Sequence, residues 1–202
     1  EVIREMIQKY LDKYPDYKNL CFSGGVVLNS LMMGKMWDWF KGRIEDMYVC
    51  PVPYDSGLAI GSAQWLWHQY LDNPRIKWED NFTPYLGIPH DQDEVLDTIL
   101  KFTDKVNYDF VSDIDVLGLL AEQKIVSVFG GGSESGRRAL GNRSILADPR
   151  NPDMKDIINE KVKHRQWFRP FAPSILRERV SDWFEIDIDS PYMSFVINFK
   201  EE

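Results

Sequence analysis

Apolar residues recur at helical spacing over the first thirteen positions (Val2, Ile3, Met6, Ile7, Tyr10 and Leu11) and predict an amphipathic helix over residues 1–13. A short apolar run predicts a strand over 19–22, followed by Ser23-Gly24-Gly25 and a helix over 26–40. The pattern then repeats. A strand is predicted over 47–50, closed by Pro51 and Pro53, and a helix over 56–70 begins beside Asp55. Strand–turn–helix twice in succession predicts an α/β layer.

Residues 71–86 are polar and proline-bearing, with Trp78, Phe82 and Tyr85 following Tyr70, and read as a linker or crossover. Beyond them the pattern predicts helices over 92–102 and 113–122, an edge strand over 107–111 and a buried strand over 125–129. A helix over 153–163 starts at Asn151-Pro152, and an alternating strand is predicted over 192–199. The chain begins at Glu1 rather than Met and stops just past that strand, so it is expected to be part of a longer protein.

No apolar run is long enough to cross a bilayer, and no basic stretch precedes an apolar one at the N-terminus, so a cytoplasmic location is expected. Cys21 and Cys50 each lie in a predicted strand and read as buried reduced thiols. The net charge of −8 speaks against a general nucleic-acid binder. That charge is uneven: residues 137–179 hold eleven Lys/Arg against five Asp/Glu, +6 net, leaving −14 for the rest. A basic stretch inside an acidic chain suits a small anionic ligand, or a solvated charged face.

Four segments carry candidate chemistry. Gly24 and Gly25, between a strand and a helix, either shape a tight turn or let backbone N–H groups approach phosphate or ribose. Asp55 reads first as a helix N-cap, with metal ligation as the alternative. Residues 129–144 place a triple-glycine loop, Gly130 to Gly132, before Arg137, Arg138 and Arg143, whose guanidinium groups suit phosphate. Asn142 and Ser144 can add neutral donors, and Glu134 can orient an arginine or accept from a ligand NH₂. In the fourth segment Lys161 and Arg165 would share a helix face, with Lys163 and His164 on others. Phe168 and Phe171 are expected to anchor a Pro-containing turn that aims Arg169.

In these segments the chain resembles the O-carbamoyltransferases of the nodulation and antibiotic-tailoring type, the NodU-like family. RALGNRSILADPR and KVKHRQWFRPFAPSIL carry the most specific part of the likeness, and SGGVVLNSLMMGKM and YDSGLAIGSAQW match the earlier half. The resemblance implies that residues 1–72 end an actin-like ATPase-type domain, that 73–84 link, and that 85–202 belong to a YrdC-like domain. It further implies joining of carbamoyl phosphate and ATP into carbamoyl adenylate, with Mg²⁺, and transfer of the carbamoyl group to an acceptor hydroxyl beside a bound metal, iron (Fe²⁺) by the family's example. Carried over by position, Gly24, Gly25 and Asn29 contact nucleotide and Asp55 becomes a metal ligand. Arg138, Arg143, Lys163 and Arg165 form the reacting grip, and Glu134, Ser144 and Arg169 bind substrate.

The chain departs from the family at the glycine loop, where Gly130 stands for glutamine, Gly132 for arginine and Arg137 for proline. The family's histidine metal ligands lie upstream of this sequence, so the chain alone is not expected to run the full reaction. An actin-like sugar kinase or ATPase and an RNA-binding YrdC-like module are the alternatives. A homodimer is a further expectation.

Overall fold

The computed structural model describes residues 1–75 and 84–201; the Trp78 and Phe82 part of the expected linker lies outside them. The chain is mixed α/β with small sheets, and it forms two compact units. The first comprises Glu1–Pro84, Ser135–Arg138 and Ile175–Glu202, and the second Tyr85–Glu134 and Ala139–Ser174.

In the first unit, helix α1 (Val2–Lys13) turns Ile7 and Leu11, one helical turn apart, into the core. Strand β1 (Asn19–Phe22) pairs in parallel with β2 (Asp46–Val49), from Asn19↔Asp46 to Phe22↔Val49. Between them the expected single helix over 26–40 is divided. A 3₁₀ turn, Gly25–Leu28, precedes helix α2 (Ser30–Trp39), because the Asn29 side chain leaves the helical path to accept the Met32 N–H at 3.0 Å. Met33, Met36 and Phe40 are wholly buried and pack with Ile7, Leu11, Ile44, Met47 and Val49.

Helix α3 (Gly57–Trp65) runs on into a π-helical turn, Leu66–Tyr70. Near the C-terminal end, a 3₁₀ turn (Arg177–Arg179) and a short helix, Val180–Trp183, appear where no element was expected. The expected strand over 192–199 has no ladder. It meets Phe184 in a single bridge at Phe199, and Val196 N–H donates to Ser30 O at 3.0 Å. The alternating pattern is satisfied by packing on α2, not by a neighbouring strand.

In the second unit, helices α4 (Gln92–Leu100) and α5 (Asp113–Ala121) start on side-chain caps from Asp91 and Ser112. At α5 the Asp115 carboxylate returns the bond, accepting the Ser112 N–H at 2.8 Å. Strand β3 (Val126–Phe129) pairs antiparallel with β4 (Arg143–Leu146), Phe129 facing Arg143. The expectation of a fully buried β3 fails, since its residues alternate between half-buried and exposed with Phe129 open to solvent. The expected edge strand over 107–111 is irregular, because no described strand offers it a ladder. Helix α6 (Met154–Ile157) continues as a π turn, Ile158–Val162.

Among the described residues, no helix is long and apolar enough to cross a membrane. Both cysteines are free, and Cys21 is exposed, against the expectation of a buried thiol. Its side chain lies on the open face of a two-stranded sheet.

Candidate functional site

The first unit holds a broad cavity of about 1460 Å³. Ser23, Gly24, Tyr48, Tyr54 and Asp55 border it, together with Gly57 and Gly61 of α3 and His68 of the π-helical turn that follows. Gly24 has φ 98° and ψ 159°, a conformation essentially closed to other residues. A Cβ built on Gly24 or Gly25 would meet nothing within 4 Å, so both backbones border open space. The two glycines therefore separate by experiment. Gly24→Ala is expected to cost about 1–3 kcal/mol from its φ alone. Gly25→Ala, with no strain, should stay within about 0.5 kcal/mol of the parent in urea unfolding.

Asp55 does not cap α3 with its side chain, contrary to the residue-level expectation: the N-cap is Ser56, and no side-chain cap bond forms. The Asp55 backbone carbonyl accepts the Leu58 N–H at 3.0 Å. Its exposed carboxylate takes no partner among the described residues and borders the cavity. It is a single carboxylate donor, of the type that metal ions take. Among the described residues, no group of three or more His, Cys, Asp or Glu is placed to hold an ion, so these residues do not complete a metal site. His68 Nδ1 stands 3.3 Å from Asn73 O. Burial first, then Cys50, Tyr192 and Cys21, push the Tyr48 phenol up to about 12, so it remains a neutral hydroxyl on the cavity wall.

In the second unit the segment between β3 and β4 is organised by one buried carboxylate. Glu134 is 4 % exposed. Its Oε1 accepts the N–H groups of Leu140 (2.6 Å), Asn142 (3.0 Å) and Arg143 (3.3 Å), and its Oε2 accepts Arg143 Nε at 3.0 Å. The Arg143 Nη2 also donates to the Glu134 carbonyl. Burial alone would push this carboxyl up. The Leu140 N–H, the Arg143 guanidinium and the Asn142 N–H together outweigh it and bring the carboxyl down to about 2. Tyr85 donates its hydroxyl to Leu140 O at 2.7 Å, and Ser144 Oγ accepts the Gly141 N–H at 2.9 Å. Gly132 lies so close to the Tyr85 and Gly87 carbonyls that a Cβ would come within 2.7 and 2.8 Å, which leaves no room for the arginine the family carries there.

Asn159, 1 % exposed, organises the following segment. Its Nδ2 donates to Trp167 O (3.3 Å) and Arg169 O (3.0 Å), and its Oδ1 accepts Arg165 Nε at 2.6 Å. Arg165 also donates to Pro170 O at 3.3 Å and lies over Phe171, 4.6 Å from the ring centroid. Helix ends at Val162, and His164 has φ 47°, so Lys161 and Arg165 do not share a helix face. Phe168 is 64 % exposed and Phe171 38 %. The turn is thus held by Asn159, not by phenylalanines sunk in a core. The Lys163 and Arg169 side chains have no hydrogen-bond or ion-pair partner among the described residues.

The expected residues therefore fall into three groups. Gly24, Gly25, Asn29, Asp55 and Arg138 belong to the first unit, where Arg138 Nη2 donates to Leu28 O at 3.3 Å. Glu134, Arg143 and Ser144 share the β3–β4 connection and the start of β4, while Arg165 and the Arg169 backbone bond Asn159 and Lys163 lies between Asn159 and Arg165 in sequence. Asn159 and Tyr85 had no expected role. A polar residue directly after the apolar pair Ile157-Ile158, where α6 passes into the π turn, was the available signal for Asn159.

A family model described as carbamoyltransferase N-terminus matches residues 2–64, and one described as carbamoyltransferase C-terminus matches residues 118–202. The chain is 43% identical to an uncharacterised protein of Synechocystis over 92% of its own length and 31% of that protein's. It is 36% identical to nodulation protein NolO of Bradyrhizobium diazoefficiens, over 90% of this chain and 34% of the relative. It is also 36% identical to nodulation protein U of Sinorhizobium fredii, over 90% and 30%. The chain thus spans about a third of the length of the curated relatives it matches.

Proposed function

The chain belongs to the carbamoyltransferase family, and from that premise we propose that it forms part of a cytoplasmic O-carbamoyltransferase that uses ATP and carbamoyl phosphate to carbamoylate a hydroxyl acceptor. In this reading residues 1–72 close an actin-like domain, 73–84 link, and 85–202 belong to a YrdC-like domain. Residues 175–202 fall within the C-terminal family match while packing in the first compact unit.

The reading assigns the formation of carbamoyl adenylate to the second half. Two anionic substrates must be held together there, and fixed cations offset their repulsion. Arg143 is oriented by Glu134 and Arg165 by Asn159. The observation that carries the reading is what those two hubs leave over: Lys163 and Arg169, on the segment whose backbone Asn159 fixes, have no protein partner among the described residues. Cations left unpaired on a braced loop are free to bind an anion in a fixed geometry. Ser144, whose Oγ accepts the Gly141 N–H, keeps its own proton to donate. In the first half, Gly24 and Gly25 offer an open backbone to nucleotide, with Mg²⁺ accompanying ATP. Asp55 contributes one ligand to a metal, iron by the family's example, whose remaining ligands lie elsewhere. A homodimer is compatible with this reading.

The test uses the full-length protein. ATP and carbamoyl phosphate together should release pyrophosphate and phosphate, with AMP following on addition of a hydroxyl acceptor. Lys163→Ala and Arg169→Ala should each lower that rate by about 10²–10³-fold while leaving the melting temperature unchanged. ATP consumption indifferent to carbamoyl phosphate would replace this reading with a kinase or simple ATPase.

A further inference from the structure

The segment Ser135–Arg138 packs in the first unit although the residues on either side belong to the second. Ser135 N–H donates to Pro84 O at 2.8 Å. A Cβ on Gly136 would stand 2.6 Å from Pro51 O, so the backbone lies flush against the residues that lead into Tyr54 and Asp55. From this seat two consecutive guanidinium groups reach the two loops that border the cavity. Arg138 bonds Leu28 O, at the end of the Gly24-Gly25 turn, and Arg137 lies over the Tyr54 ring with its Cζ 4.2 Å from the centroid. The Arg137 side chain is exposed and has no carboxylate partner among the described residues.

The cavity wall beside Tyr54 is electrically unsuited to a phosphate on its own. Among its lining residues the fixed charges are Asp55 and Arg75, and Asp55 is the immediate neighbour of Tyr54. The Asp55 carboxylate therefore opposes an anion beside Tyr54. A guanidinium stacked on Tyr54 adds a positive charge where it is missing, and its planar, delocalised form suits both the ring and a phosphate oxygen.

We propose that Tyr54 and Arg137 form a phosphate-selecting edge of the first-unit cavity, Tyr54 touching the ligand and Arg137 favouring nucleotides that carry phosphate over the bare nucleoside. The proposal rests on the nucleotide reading above. It assigns a binding task to the residue that departs from the family's proline, and it explains why that arginine is spent on an aromatic ring and not on a surface carboxylate.

Titration of the full-length protein with ATP–Mg²⁺ and with adenosine tests it, using the parent, Arg137→Ala, Arg137→Lys and Tyr54→Leu. Arg137→Ala should weaken ATP about 5–10-fold and adenosine less than about twofold, with a shallower salt dependence for ATP. Arg137→Lys restores the charge without the planar stacking group and should recover ATP binding in part, to a value between those of Arg137→Ala and the parent. Tyr54→Leu should weaken both ligands. Equal losses for ATP and adenosine in Arg137→Ala would mean a merely structural contact and overturn the proposal. So would an ATP affinity in Arg137→Ala equal to that of a parent that binds ATP. Failure of the parent to bind either ligand would overturn the nucleotide reading and this proposal together.

Discussion

Replacing Glu134 by glutamine should destabilise the second unit by about 3 kcal/mol near neutral pH, and the deficit should shrink as the pH is lowered. The carboxylate accepts three backbone N–H groups and the Arg143 Nε. An amide of the same size has one acceptor oxygen. Whichever way it is turned, its NH₂ faces a donor, and at least one buried N–H or the guanidinium loses its partner. The same number follows from the protonation equilibrium. Against the burial that would raise it, these bonds bring the carboxyl from its ordinary 4.5 to about 2, and a displacement of that size corresponds to about 3 kcal/mol. Because the folded value lies below the unfolded one, this stability is complete above about pH 4.5 and is lost as the pH falls through about 2. Urea unfolding of parent and Glu134→Gln at pH 7, 5 and 3 checks it. The gap should be full at pH 7, nearly full at pH 5 and smaller at pH 3. A gap that did not move with pH would show that the loss came from shape and not from charge. Arg143 should lose its fixed direction in the same variant, because Glu134 Oε2 is what its Nε bonds.

The alternation of apolar runs and glycine turns was enough to place α1, β1, β2 and α3, because each is fixed by local spacing; α1 and β2 also bury a stripe of their own, Ile7 and Leu11 on the one and Met47 and Val49 on the other. The failures share a cause. Residues 107–111 and 192–199 have the composition of strands, but a strand exists only where another offers it a ladder, and no local pattern reports the partner. Strand β4 was hidden for the converse reason: its first residue, Arg143, reads as chemistry, yet the backbone there pairs with Phe129. The candidate residues were legible by type, since arginines after a glycine loop suit an anion whatever the fold. Their division was not. Nothing in the spacing of Arg137 and Arg138 from Arg143 tells that the first two pack with Tyr54 and Leu28 while the third is held by Glu134. That depends on Glu134 being buried, and burial of an acidic residue between two serines is a product of tertiary packing.

Gly34→Ala should cost the first unit about 2 kcal/mol or more, although intrinsic propensity argues the other way. Gly34 lies inside α2, where alanine in place of glycine ordinarily gains about 1 kcal/mol. Here an added Cβ would stand 1.8 Å from Val196 O and 2.8 Å from Val196 C, atoms of a backbone that cannot rotate away as a side chain would. Relief requires the 194–198 segment to leave α2. That sacrifices the Val196 N–H bond to Ser30 O at 3.0 Å and the edge-to-face packing of Phe195 on Trp37, 6.1 Å between centroids. Overpacking of this kind costs about 1–3 kcal/mol and sometimes more, and detaching the segment adds the hydrogen bond and the ring packing to that cost, so the clash outweighs the propensity gain. Gly61→Ala is the control. It is also a helix-interior glycine of the first unit, but its Cβ would meet nothing within 4 Å, so it should be neutral or stabilising by up to about 1 kcal/mol. Opposite signs for the two variants in urea unfolding, with faster proteolysis of residues 194–198 in Gly34→Ala alone, are the expected outcome. Equal stability of Gly34→Ala and the parent would mean that the segment does not rest on α2 in solution, and that the fit between helix and segment contributes nothing to holding the first unit together.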